Sequence, residues 1–72
     1  MRDAAIVNLH PGKDRSVRRH HPWIFSGAIS TVRGNPAPGD TVRVAAADGS
    51  FLGWGSYNAA SQISVRLWSY IE

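Results

Sequence analysis

At 72 residues the chain holds one domain with a lean core, since a polypeptide this short buries only about 60% of its unfolded surface. The absence of cysteine excludes disulfides, thiol catalysis and cysteine-ligated zinc, and no apolar run approaches the roughly 20 residues of a membrane span. An apolar fraction of 43% excludes a disordered tail, and a net charge of +3 makes an acidic partner worth seeking.

The opening MRDAAIVNLHPG lacks a long apolar stretch followed by a small-residue cleavage site, so no secretory signal is expected. A cytoplasmic location is the expectation. Residues 4–9, AAIVNL, read as a first strand closed by His10-Pro11-Gly12. Next comes KDRSVRRHH, residues 13–21, with Asp14 or Ser16 placed to cap a short helical turn over residues 15–20. Pro22 limits that turn, because the residue before proline is driven from helical angles. Residues three and four apart share a helical face, so Arg15, Arg18 and Arg19 are expected along one side. Six residues do not make a stable helix alone, and the turn must lean on the body of the domain.

Of Trp23, Ile24 and Phe25, Ile24 and at least one aromatic are expected in the core, anchoring the turn. A ring left exposed beside the arginines would instead offer a surface for base stacking. AISTVR, residues 28–33, reads as a strand with Ile29 and Val32 inward, and GNPAPG, residues 34–39, as a loop. Val42, Val44 and Ala46 alternate with polar or small residues, Asp48-Gly49 supplies a reversal, and Phe51-Leu52 resumes an extended run. Gly53 and Gly55 flank Trp54, the pattern of a bulge, a sharp bend or a close approach of another chain. Asn58 suits a turn. In QISVRLWSYI, residues 62–71, Ile63, Val65, Leu67 and Ile71 face one way and Gln62, Ser64, Arg66, Trp68 and Tyr70 the other. Five strands with Gly-rich corners and one helical turn describe a small closed or nearly closed barrel.

The charge is concentrated. Within residues 13–21, Lys13, Arg15, Arg18 and Arg19 stand against Asp14 alone, and the rest of the chain is balanced. Seven of the eight basic residues are arginine, the side chain suited to bidentate phosphate contacts and to stacking on bases. Phosphate neutralisation needs several cations on one face, and this segment supplies them. His20 and His21 add hydrogen-bonding or stacking groups beside them. Arg43 and Arg66 fall on polar strand faces, where they either extend the patch or are simply solvated. Asp14 caps the turn or tethers an arginine.

Enzyme chemistry lacks its parts. HExxH, a Walker lysine and GxGxxG are all missing. The Gly53–Gly55 pair has no helix after it to cradle a phosphate. His10, His20 and His21 lack the spacing of a metal site, and no base or orienting group is evident for Ser16, Ser26 or Ser61.

Three stretches together, LHPGKDRSVRRHHPWIFSGAI, the Gly-Asp at residues 39–40 opening a strand, and DGSFLGWGSYNAASQISVRLWS, resemble one known module. It is the N-terminal PUA domain of the S-adenosylmethionine-dependent cytosine-5 methyltransferases of large-subunit ribosomal RNA. The resemblance runs from about Ile6 to Trp68 and is most specific in RRHHPWIFSGAI and in FLGWGSYN with SQISVR; it departs from the family's RHPWIFSGA form by the doubled His20-His21. It implies a mainly β, PUA-like pseudobarrel of five to six short strands with one helical turn. It implies that residues 1–72 are an RNA-binding accessory domain preceding a central mixed domain and a Rossmann-like catalytic domain. The S-adenosylmethionine site and catalytic cysteines would lie in those later domains, leaving no cofactor here and a segment inert by itself. The implied partners are large-subunit ribosomal RNA and, within the same protein, the central or catalytic domain; no membrane is involved.

PUA domains bind RNA through the short helix and a nearby strand or loop, which points to residues 13–21, with Lys13, Arg15, Arg18, Arg19, His20, His21, Trp23, Arg43 and Arg66 as candidate contacts. The glycine-rich loop of other PUA domains is only loosely matched by His10-Pro11-Gly12. The competing reading is a small-barrel protein-interaction or intramolecular module, docking through Trp68 and Tyr70 without touching RNA. Those two rings either cover the underside of the barrel and meet the helical turn, or pack against a following domain.

Overall fold

The computed structural model describes residues 4–72. In chain order the elements are β1 (Ala5–Leu9), α1 (Arg15–Arg18), β2 (Trp23–Phe25), a 3₁₀ turn (Ser26–Ala28), β3 (Ile29–Arg33), β4 (Thr41–Ala45), β5 (Phe51–Tyr57) and β6 (Ile63–Ser69). The six strands form one sheet in the order β2-β6-β5-β4-β1-β3. All neighbours are antiparallel except β1 and β4, which run parallel with Val7 beside Val44.

The connectivity forces this sheet to curl. β2 and β3 are its two edges, yet only the three residues of the 3₁₀ turn separate them. Five strand spacings laid flat span about 24 Å. Four chain steps reach at most about 14 Å. The edges must therefore swing toward each other, and the result is a mainly β half-barrel with one helical turn. His10 N–H donates to the Ala28 carbonyl at 2.9 Å and Ser26 N–H to the Gln62 carbonyl at 2.9 Å, tying the edge connection down.

The inner face is aliphatic. Val7, Leu9, Ile24, Val42, Val44, Leu52, Val65 and Leu67 are buried together, with Ala46, the residue after β4, beside them. Val17 of α1 joins them, so the helical turn plugs the barrel through one side chain. Ile29 and Val32 pack partly buried against this cluster, as the alternation in β3 implies. The turns follow the local chemistry: Gly49 has φ of +90°, and Asp48 Oδ1 accepts from the N–H and the hydroxyl of Ser50 at 2.9 and 2.7 Å. Asn58 Oδ1 accepts from Ala60 N–H at 3.1 Å, a turn role as expected.

Three sequence expectations need correction. The Trp-Ile-Phe segment is a sixth strand, and only Ile24 of the three is core; Trp23 and Phe25 are 47% and 50% exposed. Inward alternation leaves one inner position in a three-residue strand, and Ile24 takes it. Strict alternation also fails along β6. Opposite Phe25 the register slips so that Ser64 is an extra residue, and it is buried beside Val65 with its hydroxyl on the Ser61 carbonyl. Opposite Trp54 and Gly55 it slips again, with Trp68 extra. A bulge of one residue inverts the phase beyond it. Tyr70 therefore turns toward the core, while Ile71 leaves it and is 83% exposed. The third correction concerns Asp14, whose side chain makes no capping hydrogen bond to α1.

Candidate nucleic-acid interface

Four residues of α-helix hold the basic segment in place, and their wheel explains how its cations are presented. Val17 points inward. At about 100° per residue Arg15 and Arg19 both lie roughly opposite Val17, with Ser16 and Arg18 on the two flanks. Lys13, Arg15, Arg18 and Arg19 are all exposed. Arg18 is nonetheless committed: its Nε donates to Asp14 Oδ2 at 2.5 Å and its Nη2 to Ser50 Oγ at 3.2 Å. Ser50 in turn donates to Asp48, so Arg18 clamps α1 onto the β4–β5 turn. Asp14 is the tether of an arginine. Among the described residues Lys13, Arg15 and Arg19 have no ion pair.

The Arg18 hydrogen bond, followed by a backbone N–H, holds the Asp14 carboxyl below its ordinary range. A lowered folded-state value means the pair's contribution is present above the usual carboxylate range and is lost as pH falls through the folded one. The Arg18 side of the pair is half exposed, so that contribution is screened. The Asp48 carboxyl is lowered likewise, first by the Ser50 hydroxyl and then by the Ser50 N–H.

The exit from α1 is built on a histidine. Arg19 ends the helix, and His20 adopts φ of +64°, the left-handed region usually occupied by glycine. His20 N–H then donates to the Val17 carbonyl at 2.8 Å and His21 N–H to the Ser16 carbonyl at 2.9 Å. These two bonds define a Schellman cap with histidine at the glycine position. The tertiary reason for a side chain there is Tyr70, on whose ring the imidazole stacks at 4.2 Å and 15°. The left-handed angle costs about 1 kcal/mol relative to glycine, and an aromatic stack contributes a similar amount. Replacing His20 by alanine keeps the angle and loses the stack, so we expect a loss of about 1 kcal/mol by urea unfolding. His20→Gly loses the stack and relieves the angle, and should be near neutral. Equal midpoints for the two variants would refute this account.

His21 follows, and its ring meets Trp23 edge-on at 6.1 Å and 89°. Trp23 lies directly across from Arg66 in the β2–β6 pair, with both side chains exposed on the outer face. Lys13, Arg15 and Arg19 are thus exposed on the helical turn, His20 and His21 cap it, and His21, Trp23 and Arg66 adjoin on the outside of the sheet. Arg43 stands apart. Its guanidinium lies 4.6 Å from the Phe51 ring centre and 5.8 Å from that of Trp54, and it is ion-paired with Glu72. Trp68, 59% exposed, is a member of the outer face that charge reasoning does not connect to the basic segment. The connection needs β2, a strand too short to be recognised by alternation.

Gly53 and Gly55 are where β5 and β6 touch. A Cβ on Gly53 would lie 2.7 Å from the Ser69 carbonyl oxygen, and one on Gly55 2.6 Å from that of Arg66. Close approach, among the readings open from sequence, is their use. Among the described residues no group of three or more His, Asp or Glu side chains is placed to hold a metal, and no helix is long and apolar enough to cross a membrane.

Curated proteins named "Ribosomal RNA large subunit methyltransferase I" are similar to this chain. The one from Shewanella frigidimarina (strain NCIMB 400) is 51% identical over 68 residues, covering 93% of the chain and 17% of that protein. Its counterpart from Pseudoalteromonas translucida (strain TAC 125) is 46% identical over 68 residues, with 94% and 17% covered. The protein from Shewanella amazonensis (strain ATCC BAA-1098 / SB2B) is 45% identical over 64 residues, with 89% and 16% covered. The chain spans about one sixth of the length of these curated relatives. A family model described as PUA-like domain matches residues 7–70, taking in the helical turn, the His20 cap and nearly all of the sheet. With the curled six-stranded sheet and its single helical turn already in view, that match establishes that the chain belongs to the PUA-like domain family.

Proposed function

We propose that this chain is the RNA-binding accessory domain of a large-subunit ribosomal RNA methyltransferase, with residues 1–72 preceding the portion that carries catalysis. The observation that carries the reading is the set of cations Lys13, Arg15 and Arg19, which have no ion pair among the described residues. They are presented on a turn fixed by Val17, by the Arg18 clamp and by the His20 cap, and continued by His21, Trp23 and Arg66. The names of the relatives and the resemblance in RRHHPWIFSGAI support the same partner, ribosomal RNA, and with it a cytoplasmic place of work.

The mechanism is positioning. Guanidinium groups on a rigid turn contact phosphates, a folded RNA segment is recognised by its shape, and the catalytic portion is aimed at its cytosine. S-adenosylmethionine would be held by that portion. The residues here do not fit it: α1 has four residues, and the one Gly-X-Gly lies inside β5 with both glycines against β6. Contact between the barrel and the catalytic portion completes the proposal.

The test is amide-shift mapping of the chain against a ribosomal RNA hairpin at low and moderate salt. Shifts centred on residues 13–23 that weaken with salt support the reading; no shifts, or shifts that ignore salt, would sink it. Asp14→Asn sharpens the test. It releases Arg18 from its carboxylate and adds one positive charge to the patch, so affinity should rise and the salt slope steepen by about one. An unchanged or weaker affinity would show that Arg18 and its neighbours do not meet phosphate.

A further inference from the structure

The outer face of the β2–β6 edge carries three exposed aromatic rings, Trp23, Phe25 and Trp68, that the core does not use. Trp23 and Trp68 are 47% and 59% exposed, and neither belongs to the core cluster. Trp23 is directly opposite Arg66. Trp68 lies two residues along β6 from Arg66, at the bulge just past the Trp23–Arg66 pair, and like both of them it is exposed. His21 buttresses the group: its ring is edge-on to Trp23, and its Nδ1 accepts from the Trp23 N–H at 3.4 Å.

We propose that Trp23 and Trp68, with Arg66 between them and His21 behind, form a platform on which unpaired bases of an RNA strand stack. This rests on the reading that RNA is the ligand, and adds that part of that RNA is single-stranded. Charge decides between RNA and an apolar protein partner. The cross-strand neighbours of Arg66 are Trp23 and Ser56, and among the described residues it has no ion pair. An apolar protein surface covering the two indoles would bury that guanidinium without a counter-charge, a costly arrangement. A nucleic-acid strand satisfies both halves at once, bases on the indoles and phosphate on the arginine. Duplex RNA does not, because its bases are stacked on each other and only splayed nucleotides present a free face. The platform follows α1 through His20 and His21, so a strand leaving a helical stem held at Arg15 and Arg19 reaches it along the protein surface.

The experiment titrates the chain with a short fluorescent oligouridylate and, separately, with a fully paired RNA hairpin, over a range of salt. Trp23→Ala and Trp68→Ala should each weaken oligouridylate binding by about fivefold or more while leaving the salt slope unchanged. Binding to the hairpin should change less. Trp23→Phe and Trp68→Phe, which keep a stacking ring, should retain most of the affinity and guard against a folding defect. If both alanine variants bind oligouridylate as tightly as the parent while Arg15→Ala with Arg19→Ala does not, the platform is wrong and the RNA reading survives. If the parent binds neither RNA, the RNA reading fails and the platform with it. If the parent self-associates in sedimentation, and Trp68→Ala abolishes this without altering RNA affinity, the face is a protein contact and the proposal is overturned.

Discussion

Alanine at position 55 should lower the stability of the domain by about 3 kcal/mol, read as a fall in the urea midpoint with an unchanged slope. The added Cβ meets three atoms of β6 at once: the Arg66 carbonyl oxygen at 2.6 Å, Val65 Cγ1 at 2.8 Å and the Arg66 carbonyl carbon at 3.0 Å. Two of these are backbone and cannot rotate away. Val65 is fully buried in the aliphatic core, so the third cannot yield without opening a gap elsewhere. A domain of this size has a stability on the order of 4–10 kcal/mol, so the loss is a large fraction of it. Gly27→Ala is the control: nothing lies within 4 Å of its Cβ, and its substitution should be close to neutral. Similar midpoints for the two variants would show that β5 and β6 do not approach each other as described. The effect reaches function, because the β5–β6 pairing sets the register of β6 and hence the placement of Arg66 and Trp68.

Changing Arg15 and Arg19 together to alanine should reduce affinity for a ribosomal RNA hairpin by on the order of tenfold or more near physiological salt. The salt slope should fall by about two, one for each phosphate that is no longer neutralised. Both side chains are exposed and unpaired among the described residues, and neither belongs to the core, so the midpoint of urea unfolding should move little. Arg18→Ala is expected to behave differently. Its charge is already met by Asp14, so it contributes less to phosphate binding, and its removal frees α1 from the Ser50 turn. A double variant with parental affinity and slope would remove the helical turn from the RNA interface. Such a result would leave the fold assignment untouched, since that stands on the sheet and on the family match.

How much of this is legible in the sequence depends on how local each interaction is. The first strand, the reversal at Asp48-Gly49, the alternation of Val42, Val44 and Ala46, and the turn at Asn58 are all encoded within a few residues. They fold as their local chemistry dictates. The basic segment is legible for the same reason, because a cluster of arginines in nine residues remains a cluster in any compact conformation. Apart from Asp14, which gives up capping for Arg18 four residues on, the failures involve a partner far along the chain. Trp-Ile-Phe becomes a strand only because β6, far downstream, pairs with it at Trp23 with Arg66 and Ile24 with Val65. Counting in twos puts Tyr70 on the outer face, and a bulge at Trp68 turns it inward to meet His20. His20 has no local reason to adopt a left-handed angle where glycine is usual; its reason is the Tyr70 ring.

By itself, then, the order of residues determined a small β domain, an aliphatic inner face, a concentrated positive charge and, through RRHHPWIFSGAI, a family likeness. Only the tertiary structure decided which cations remain available. Arg18 is taken by Asp14 and Ser50, and Arg43 by Glu72 and two aromatic rings, while Lys13, Arg15, Arg19 and Arg66 have no ion pair among the described residues. The reason is geometric. A residue's charge is a property of its side chain, but whether that charge is available to a partner depends on which distant groups the folded chain sets beside it.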